Sequence, residues 1–501
     1  MSSVSVENAK PTYTPREHQA RRYSVWVAIV ASLSGLMFGW DSMALNVVKN
    51  ALQYHTKANN GLIGFAIAFG VLSAVLGAFV AGRLSDKTGR KPIMIISAVL
   101  FIVSSIGIVF IGNSIGLFLF WRFFSGLAMG AAMTIAPAYI SETAPADLRG
   151  TLVSLRQFFI IIGLFVCGLL GDWLVGKADA PAKGSDMPQS AGNLSMLGLN
   201  LEAWQWAFLS VAIGGIVYLV TALMVPESPR YLVLAGKLEE AKASLGKTTG
   251  EDSDELDARI AGIQDSLKSD SKRSGFKVVL TKSGHNLQKV VWVGVALAAL
   301  QQFVGINAIF YYSTTIFATV GFGEQQALQQ TLILTGVKVV AIILGMILID
   351  RIGRRPLMIF GSAAMVVSLI AVSSIMLSAP KAADGSPDLA GNPALGIIAL
   401  IALCLYVGSY AGTWGPIMWV LVGEMFPNRI RGAATSIAGA AEWIANFAVT
   451  LSFPVLAAWS IGTTYIIYGV MALIGLLFVI FLVPETKNVE LEDMDKLVEQ
   501  N

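Results

Sequence analysis

Twelve apolar stretches set the strongest constraint on how this chain can fold. About 20 apolar residues are enough to cross the hydrocarbon core of a bilayer as a helix. Only 13% of the 501 residues are charged, against about 25% in a typical soluble protein. The sequence therefore predicts an all-α integral membrane protein with twelve transmembrane helices. The predicted spans are 25–47, 61–82, 93–111, 117–140, 152–175, 204–224, 291–313, 330–349, 357–379, 394–425, 433–456 and 464–483.

The basic residues of the loops predict an orientation. Lys and Arg side chains collect after spans 2, 4, 8 and 10, whereas the loops after spans 3, 7 and 11 contain none. Loops rich in Lys and Arg stay on the cytoplasmic side of a membrane. We therefore expect a multi-pass protein of the plasma membrane (a cell or inner membrane) with both termini in the cytoplasm.

A long charged connection divides the predicted spans into two groups of six. It contains helix-like pieces, and we expect it to form cytoplasmic linker helices. The predicted organisation is an N-terminal cytoplasmic tail, a first six-helix bundle, the linker, a second six-helix bundle and a C-terminal cytoplasmic tail, at 1–24, 25–225, 226–290, 291–483 and 484–501.

Three motifs occur twice, at equivalent places in the two halves. Residues 86–92 (DKTGRKP) return as 350–356 (DRIGRRP), and the pattern E-x-x-P-x-x-x-R-G of 142–150 returns at 424–432. The PESPR sequence of 226–230 has a partial echo in PETK at 484–487. Repeats at matching positions indicate a duplicated six-helix unit, as in many transporters.

These motifs carry a resemblance to a known family. The sequences GRLSDKTGRK (82–91), RFFSGLAMG (122–130), PESPR, QQFVGINAIFYYS (301–313) and PETK are similar to those of the sugar porters of the major facilitator superfamily. The resemblance extends from about Gly35 to Leu491. It implies the major facilitator fold and transport by alternating access, in which two halves rock about a central site.

The charged residues of the repeated motifs lie at the predicted cytoplasmic ends of the spans. The resemblance implies that they form a gating network, which breaks and re-forms as the halves move. The alternative is that they only fix the topology through the positive-inside rule. The predicted gating residues are Asp86, Arg90, Glu142, Arg149, Glu227, Arg230, Asp350, Arg354, Glu424 and Arg431.

The stretch Gln301–Ser313 places several polar groups inside an otherwise apolar span. On a straight helix, Gln301, Gln302 and Asn307 do not share one face. A kink at Gly305 would bring them towards one cavity, as in the broken helices of transporters. The alternative is that these amides form hydrogen bonds that hold neighbouring helices together.

A sugar site needs polar groups for the hydroxyls and aromatic faces for the apolar side of the ring. The resemblance implies that Gln301, Gln302 and Asn307 bind sugar, with Gln157 on span 5 beside an apolar wall. In span 10, we expect Pro416 to break the helix. The other predicted substrate-binding residues are Phe38, Ile160, Leu164, Tyr312, Trp414, Trp419 and Asn446, although packing or lipid-facing roles are an alternative for the aromatic ones.

Asp41 and Arg122 are charged residues within spans 1 and 4. Such residues are costly in a membrane and normally face the interior in pairs. A static ion pair is one interpretation. The resemblance implies another, because an acid at this position is typical of sugar–proton symporters, whereas facilitators commonly have asparagine. We therefore predict that Asp41 takes up a proton and that Arg122 modulates its affinity.

Lys338 and Glu442 depart from the family pattern at two cavity positions that often carry amides. We include both among the substrate-binding residues. One account is a structural pair of Lys338 with Glu442 or Asp41. Another is that Lys338 binds a carboxylate, which would favour a sugar acid or a quinate-like substrate.

The predicted function is import of a monosaccharide (hexose or pentose) with a proton in symport. The alternatives are a proton-coupled porter of a sugar acid or quinate-like acid, a proton-independent sugar facilitator, and a nutrient sensor, against which the short C-terminal tail argues. The three histidines lie outside the spans and no catalytic or metal-binding motif is present. We therefore expect no enzyme activity, catalytic residue, cofactor, metal or nucleic acid, and a protein that works as a monomer in the lipid bilayer.

Overall fold

The architecture is helical throughout the membrane region. A computed structural model describes residues 14–145, 148–182, 185–273, 288–313, 316–317, 323–381, 387, 389, 392–426 and 430–487. Within these residues, twelve helical segments are long and apolar enough to cross a membrane. The predicted twelve-span fold is therefore confirmed. Parts of the predicted tails and linker, at 1–13, 274–287 and 488–501, lie outside the described residues.

The first half contains six long helices and a short hairpin. Its helices α1 to α6 cover Pro15–Thr56, Asn60–Thr88, Arg90–Val109, Ile115–Thr143, Arg149–Lys177 and Ala203–Met224. Strands β1 and β2 cover Asn193–Met196 and Leu199–Glu202. Three linker helices follow, in which α7, α8 and α9 cover Pro229–Leu234, Leu238–Thr249 and Ser253–Arg273.

The second half also crosses six times, but two of its spans are broken into two helices. Span 7 consists of α10 and α11, and span 10 consists of α14 and α15. The helices α10 to α17 cover Lys289–Phe303, Ile306–Tyr311, Glu324–Ile352, Arg354–Ser378, Pro393–Gly412, Trp414–Met425, Arg431–Trp459 and Ile461–Leu482.

The duplicated motifs adopt the same backbone in both halves. Gly89 joins α2 to α3 with φ 103°, and Gly353 joins α12 to α13 with φ 106°. Side chains other than glycine rarely adopt such values. A Cβ atom would also lie 2.2 Å from Glu227 Oε2 at the first position and 2.9 Å from Glu485 Oε2 at the second. Glycine is therefore required at both turns, which explains why the motif was retained twice.

The first helix begins at Pro15, ten residues before the predicted span. Thr14 caps it by accepting a hydrogen bond from the backbone N–H of Glu17, whose carboxylate in turn accepts one from the Thr14 N–H. Proline at the first helical position fits the same arrangement, because its missing N–H is not needed there. The polar start of α1 is therefore helical without belonging to the apolar span.

The connection between the predicted spans 152–175 and 204–224 contains structure that the composition did not indicate. Strands β1 and β2 pair antiparallel, with Asn193 opposite Glu202 and Met196 opposite Leu199. The two turn residues, Leu197 and Gly198, have φ values of 54° and 78°. Positive φ at both central positions is typical of a tight hairpin turn. Leucine is an unusual residue for such a turn, so sequence patterns did not reveal it.

Helices in each half approach closely where small residues meet. At Gly126 of α4, a Cβ atom would lie 2.2 Å from the carbonyl oxygen of Gly70 on α2. At Gly163 of α5, it would lie 2.2 Å from the carbonyl oxygen of Leu36 on α1. Small residues at such crossings allow dense packing in a membrane, where the hydrophobic effect does not drive helices together.

The two halves also contact each other at the end of the bundle opposite the linker. Glu324, at the start of α12, accepts hydrogen bonds from Asn50 Nδ2 at 2.9 Å and from Ser190 Oγ at 2.7 Å. Deeper in the bundle, Asn46 of α1 donates to the Phe310 carbonyl, and Ser313 Oγ donates to Asn46 Oδ1 at 3.2 Å. These hydrogen bonds join the two halves, and we call this end of the bundle the closed end.

The close crossing of α2 and α4 gives a first testable prediction. Gly126→Ala should destabilise the protein by about 1–3 kcal/mol, because overpacking forces the backbone apart. The matched control is Gly82→Ala on α2, where an added Cβ meets nothing within 4 Å. Thermal unfolding in detergent, followed by tryptophan fluorescence, compares the two. Equal unfolding temperatures for both variants would contradict the prediction.

Candidate functional site

The break in span 7 lies at the predicted glycine. Helix α10 ends at Phe303 and α11 begins at Ile306. Gly305 has φ 87°, and a Cβ atom there would lie 2.4 Å from the ring of Tyr468. The Val304 carbonyl, freed by the break, accepts a hydrogen bond from the Tyr406 hydroxyl at 2.7 Å. The polar backbone is thereby satisfied within the protein, as a membrane interior requires.

Two of the three predicted amides meet across this break. Asn307 Nδ2 donates to Gln302 Oε1 at 2.7 Å, and Gln302 Nε2 donates to Glu442 Oε1 of α16 at 3.0 Å. Gln301 points elsewhere, and its Nε2 donates to the Trp414 carbonyl at 3.0 Å. The break therefore assembles a polar row of Asn307, Gln302 and Glu442, and it ties Gln301 to span 10.

Span 10 is interrupted three residues before the proline that was expected to break it. Helix α14 ends at Gly412, and Thr413 separates it from α15 with φ −128° and ψ −83°. A proline lacks the N–H that would bond to the carbonyl four residues earlier, and its ring crowds that carbonyl. For Pro416 this is the carbonyl of Gly412, which explains where the helix ends.

The two predicted tryptophans have different surroundings. Trp414 is fully buried in the second half, where its Nε1 donates to Ser362 Oγ at 2.7 Å and its ring packs against Gly475. Trp419 is only partly buried and lies beside Gly439 of α16. Trp414 therefore holds helices together, whereas Trp419 retains a partly open face.

Apolar residues of the first half face this polar row. Phe38 of α1 meets Trp443 of α16 edge-on, with ring centroids 6.1 Å apart. Ile160 and Leu164 of α5 are buried, and the backbone at both residues lies against Gly39 of α1. Ile160 and Leu164 therefore lie where α5 packs against α1, and their role as the apolar wall of a substrate site stays a prediction.

The remaining predicted binding residues are more widely distributed. Gln157 is partly buried and forms no hydrogen bond with another described residue. Asn446 is buried and accepts a hydrogen bond from Thr450 Oγ1 at 3.2 Å. Tyr312 stacks on Phe453 at 4.9 Å and donates its hydroxyl hydrogen to the Thr450 carbonyl. Tyr312 therefore belongs to the contact near the closed end, and a ligand-binding role for Gln157 stays a prediction.

Asp41 and Arg122 form a pair that is completely enclosed in the first half. Arg122 Nη1 donates to Asp41 Oδ2 at 2.5 Å, and their side chains are 0% and 1% exposed. Ser125 Oγ donates to Asp41 Oδ1 at 2.9 Å and accepts from Arg122 Nη1. Sequence reasoning missed Ser125, which lies one helical turn after Arg122 on α4. Gly70 makes room for the guanidinium, since a Cβ atom there would lie 2.4 Å from Arg122 Nε.

Lys338 has an aromatic neighbour in place of an ionic one. Its Nζ lies 4.2 Å from the ring centroid of Phe310, at the distance of a cation–π contact. Among the described residues, Lys338 forms no ion pair with either Glu442 or Asp41, although it is buried. The structural pair considered for Lys338 is therefore absent from this structure.

The charged motifs of the first half form a compact cluster at the linker end. Arg90 donates to both oxygens of Glu142, at 2.9 and 3.0 Å, and lies 3.3 Å from Asp86. Glu227 accepts the backbone N–H of Arg90, and Ser228 Oγ donates to Glu142 at 2.5 Å. The PESPR sequence thus caps the start of α3 and completes the pair between α3 and α4.

The second half repeats this cluster with the PETK sequence. Arg354 donates to Glu424 at 3.0 Å, while Glu485 accepts the backbone N–H groups of Arg354 and Arg355. Thr486 Oγ1 donates to Glu424 at 2.5 Å. Glu485 and Thr486 were not predicted as site residues, although the echo between PESPR and PETK was the signal that identifies them.

Each cluster described here lies within one half. Burial raises the pKa of Glu227, because desolvation outweighs the backbone hydrogen bonds that favour its charged form. Arg230 lies on α7, directly after this capping segment. The side chains of Arg149, Asp350 and Arg431 lie outside the described part of the chain, so a gating contact between the halves stays a prediction.

A model of the family described as "Sugar (and other) transporter" matches residues 27–498. The chain belongs to this sugar porter family of the major facilitator superfamily, as its motifs predicted. This family consists of transporters, which agrees with the expectation that the protein is not an enzyme. Among the described residues, no three His, Cys, Asp or Glu side chains are grouped as metal ligands.

Individual relatives match this chain over almost its whole length. It is 40% identical to a glucose transport protein of Synechocystis over 97% of this chain and 100% of the relative. It is 32% identical to a D-xylose–proton symporter of Escherichia coli K12 over 95% and 96% of the two chains. A partially occluded inward-open structure of the E. coli xylose transporter XylE matches with a TM-score of 0.76 and 28% identity, covering 94% of this chain and 100% of that chain.

The contacts of Glu324 predict how this closed end opens. Glu324→Ala removes its hydrogen bonds to Asn50 and Ser190, and one hydrogen bond to a charged group is worth about 1.5–3 kcal/mol. The ratio of open to closed molecules at this end should rise about tenfold or more. Distances between spin labels at Asn60 and Ala458, in a background without cysteine, measure that ratio.

The exposed Gln329 of the same helix provides the control for this experiment. Gln329→Ala should leave the distribution of label distances unchanged, because its side chain faces away from the contact. If Glu324→Ala gave the same distribution as this control, the Glu324 contact would not hold the end closed.

Proposed function

We propose that this chain is a secondary active transporter that imports a monosaccharide, a hexose or a pentose, together with a proton. The observation that carries the proposal is the polar row at the break in span 7, where Asn307, Gln302 and Glu442 are joined by hydrogen bonds of 2.7 and 3.0 Å. Convergent amides and a carboxylate beside aromatic rings are suited to recognise sugar hydroxyls. The relatives named for glucose and for D-xylose with a proton support this substrate class.

The proposed sugar site is the central cavity between the halves. It combines the polar row with Gln157, the apolar wall and the partly open face of Trp419. Transport would proceed by alternating access, with 25–225 rocking against 291–483 around this site. We propose as substrate-binding residues Phe38, Gln157, Ile160, Leu164, Gln301, Gln302, Asn307, Tyr312, Lys338, Trp414, Trp419, Glu442 and Asn446.

We assign proton coupling to Asp41, with Arg122 as the residue that adjusts it. An aspartate whose oxygens are held by Arg122 and Ser125 must lose part of this bonding when it is protonated. Protonation would release Arg122, and the first half could then change its helix packing. This link between a proton and helix packing is what symport requires.

We further propose the orientation, location and organisation of the protein. The tails at 1–24 and 484–501 and the linker at 226–290 would lie in the cytoplasm. The protein would work as a monomer in a plasma (cell or inner) membrane, without nucleic-acid partners. The basic loops at the linker end support this orientation. The proposed gating residues are Asp86, Arg90, Glu142, Arg149, Glu227, Arg230, Asp350, Arg354, Glu424 and Arg431.

One observation favours a second candidate, a proton-coupled porter of a sugar acid or quinate-like acid. Lys338 is buried without an ionic partner among the described residues, and its Nζ lies 4.2 Å from the centroid of the Phe310 ring. A buried cation without a counter-charge is expensive, and a carboxylate on the substrate would neutralise it. A proton-independent facilitator of sugars is the remaining alternative, and it would leave the Asp41–Arg122 pair static.

Uptake into proteoliposomes tests these candidates together. The purified protein is given an inward proton gradient and a panel of D-glucose, D-xylose and D-glucuronate. We expect a neutral sugar to accumulate and the accumulation to collapse with a protonophore. Equilibration without accumulation would overturn proton coupling, and uptake of the acid alone would overturn the neutral substrate.

Asp41→Asn should abolish accumulation driven by the proton gradient, because an amide cannot take up the proton. Exchange of labelled sugar between the two sides should persist, since the binding site lies elsewhere. Asp252→Asn is the control, as its carboxylate is exposed and pairs with the exposed Arg16 near the linker. Intact accumulation in Asp41→Asn would show that the proton binds at another group.

Gln157→Ala and Asn307→Ala should each weaken sugar binding about tenfold or more, because each removes a hydrogen-bonding group from the cavity. Binding of D-glucose and D-xylose to the purified variants measures this loss. Gln329→Ala is the matched control, since it deletes an exposed amide. If both cavity variants bound like the control, the sugar site would have to lie elsewhere.

A further inference from the structure

Arg156 is a partly buried cation that neither the motifs nor the proposed function uses. It precedes Gln157 on α5, and its backbone carbonyl lies against Gly35 of α1. Its Nη1 lies 3.3 Å from the sulfur of Met133 on α4, and its Nε has no hydrogen-bond partner among the described residues. A thioether is a weak acceptor, so the guanidinium retains most of its donor capacity.

The opposite charge lies on the other half of the protein. The Glu442 carboxylate interacts electrostatically with Arg156. Only one of its oxygens accepts a hydrogen bond from a described residue, namely Gln302 Nε2. Within the described residues, Arg156 and Glu442 form no direct ion pair, so their charges face each other across a gap.

The packing of α1 places both charges near the boundary between the halves. Gly35 lies against the Arg156 backbone, and one turn later the Phe38 ring contacts Trp443, the residue that follows Glu442. Because residues three apart share one face of a helix, Arg156 and Glu442 belong to segments that pack against the same side of α1, one from each half. In a medium of low dielectric constant, separated opposite charges attract polar groups that can bridge them.

We propose that Arg156 and Glu442 form a charged clamp that binds one pair of neighbouring hydroxyls of the sugar. One hydroxyl donates to the free oxygen of Glu442, and the adjacent hydroxyl accepts from the Arg156 guanidinium. This inference rests on the proposed function and adds Arg156 to the site as a residue that determines specificity. Because the two residues belong to different halves, bound sugar would draw the halves together.

The clamp also explains why Asn307, Gln302 and Glu442 form a polar row. Gln302 holds one oxygen of Glu442, and Asn307 in turn holds Gln302, so the free oxygen keeps a fixed direction. Hydrogen bonds to a charged group are about twice as strong as neutral ones and are sensitive to direction. A sugar with its neighbouring hydroxyls in another arrangement would leave one charge of the clamp unsatisfied.

Binding of monodeoxy sugars to purified full-length protein tests the clamp. The probes are D-glucose and its monodeoxy analogues, and the variants are Arg156→Gln and Glu442→Gln. Each substitution should weaken glucose binding about ten- to hundredfold, the range for a lost hydrogen bond to a charge. The analogue that lacks the Glu442-bound hydroxyl should bind the original protein about tenfold or more weakly, but should lose nothing further in Glu442→Gln.

Arg16→Gln is the matched control, because Arg16 is exposed and pairs with the exposed Asp252 near the linker. It should leave binding unchanged. Arg156→Lys keeps the charge but loses the planar fork of donors, so it should recover only part of the affinity lost in Arg156→Gln. If Arg156→Gln does not fold, Glu442→Gln and the deoxy series carry the test alone.

Three outcomes would overturn the clamp. Glucose affinities equal to the control in both charge variants would show that the pair is structural. A selective loss of D-glucuronate binding in Arg156→Gln, with glucose unaffected, would assign the guanidinium to an acid. If the original protein binds no sugar of the panel, the proposed function fails as well, whereas binding with unchanged ratios overturns the clamp alone.

Discussion

The need to satisfy every polar backbone group inside the bilayer governs this structure. Unbroken helices meet that need within each span. A span can therefore be interrupted only where the bundle supplies substitute partners, as Tyr406 does for the Val304 carbonyl. A hydrogen bond also joins the breaks in spans 7 and 10. Gln301, in the last turn of α10, donates to the Trp414 carbonyl, where α15 begins. The same feature that carries the amides of the site thus stabilises its second broken helix.

Duplication explains the scaffold of the protein but not its chemistry. The turns at Gly89 and Gly353, and the clusters in which Glu227 and Glu485 cap the following helix, are nearly identical in the two halves. The polar interiors differ. The first half encloses the charged pair of Asp41 and Arg122, with which Tyr311 of the second half interacts, whereas the second half has broken helices with amides at the break. Under the proposed function, the pair would take up the proton in one half, while residues of both halves would bind the sugar.

The sequence allowed the fold and much of the site to be predicted, and the failures have identifiable causes. Span lengths, loop charges and repeated motifs depend on the bilayer and on local sequence, so the twelve helices and the break at Gly305 were predictable. The interruption at Thr413 was displaced from Pro416, because a proline affects the carbonyl four residues before it. Ser125, Ser228 and Thr486 were missed since hydroxyls in helices and caps are common, and only their distance from a carboxylate distinguishes these three. The hairpin depended on Leu197 adopting a conformation that its side chain disfavours.

Buried charge is the feature in which this protein departs most from a simple sugar cavity. Asp41 and Arg122 neutralise each other, and Arg156 lies near the opposite charge of Glu442. Two buried lysines have aromatic neighbours. Lys338 lies over the ring of Phe310, and Lys49 lies over the ring of Tyr312. Phe310 belongs to α11 and Tyr312 directly follows it, so cations from the two halves lie against the same end of span 7. A cation–π contact offsets part of the desolvation cost of a charge but not all of it. The remaining desolvation cost of Lys338 and Lys49 must therefore be offset by the packing of the surrounding helices.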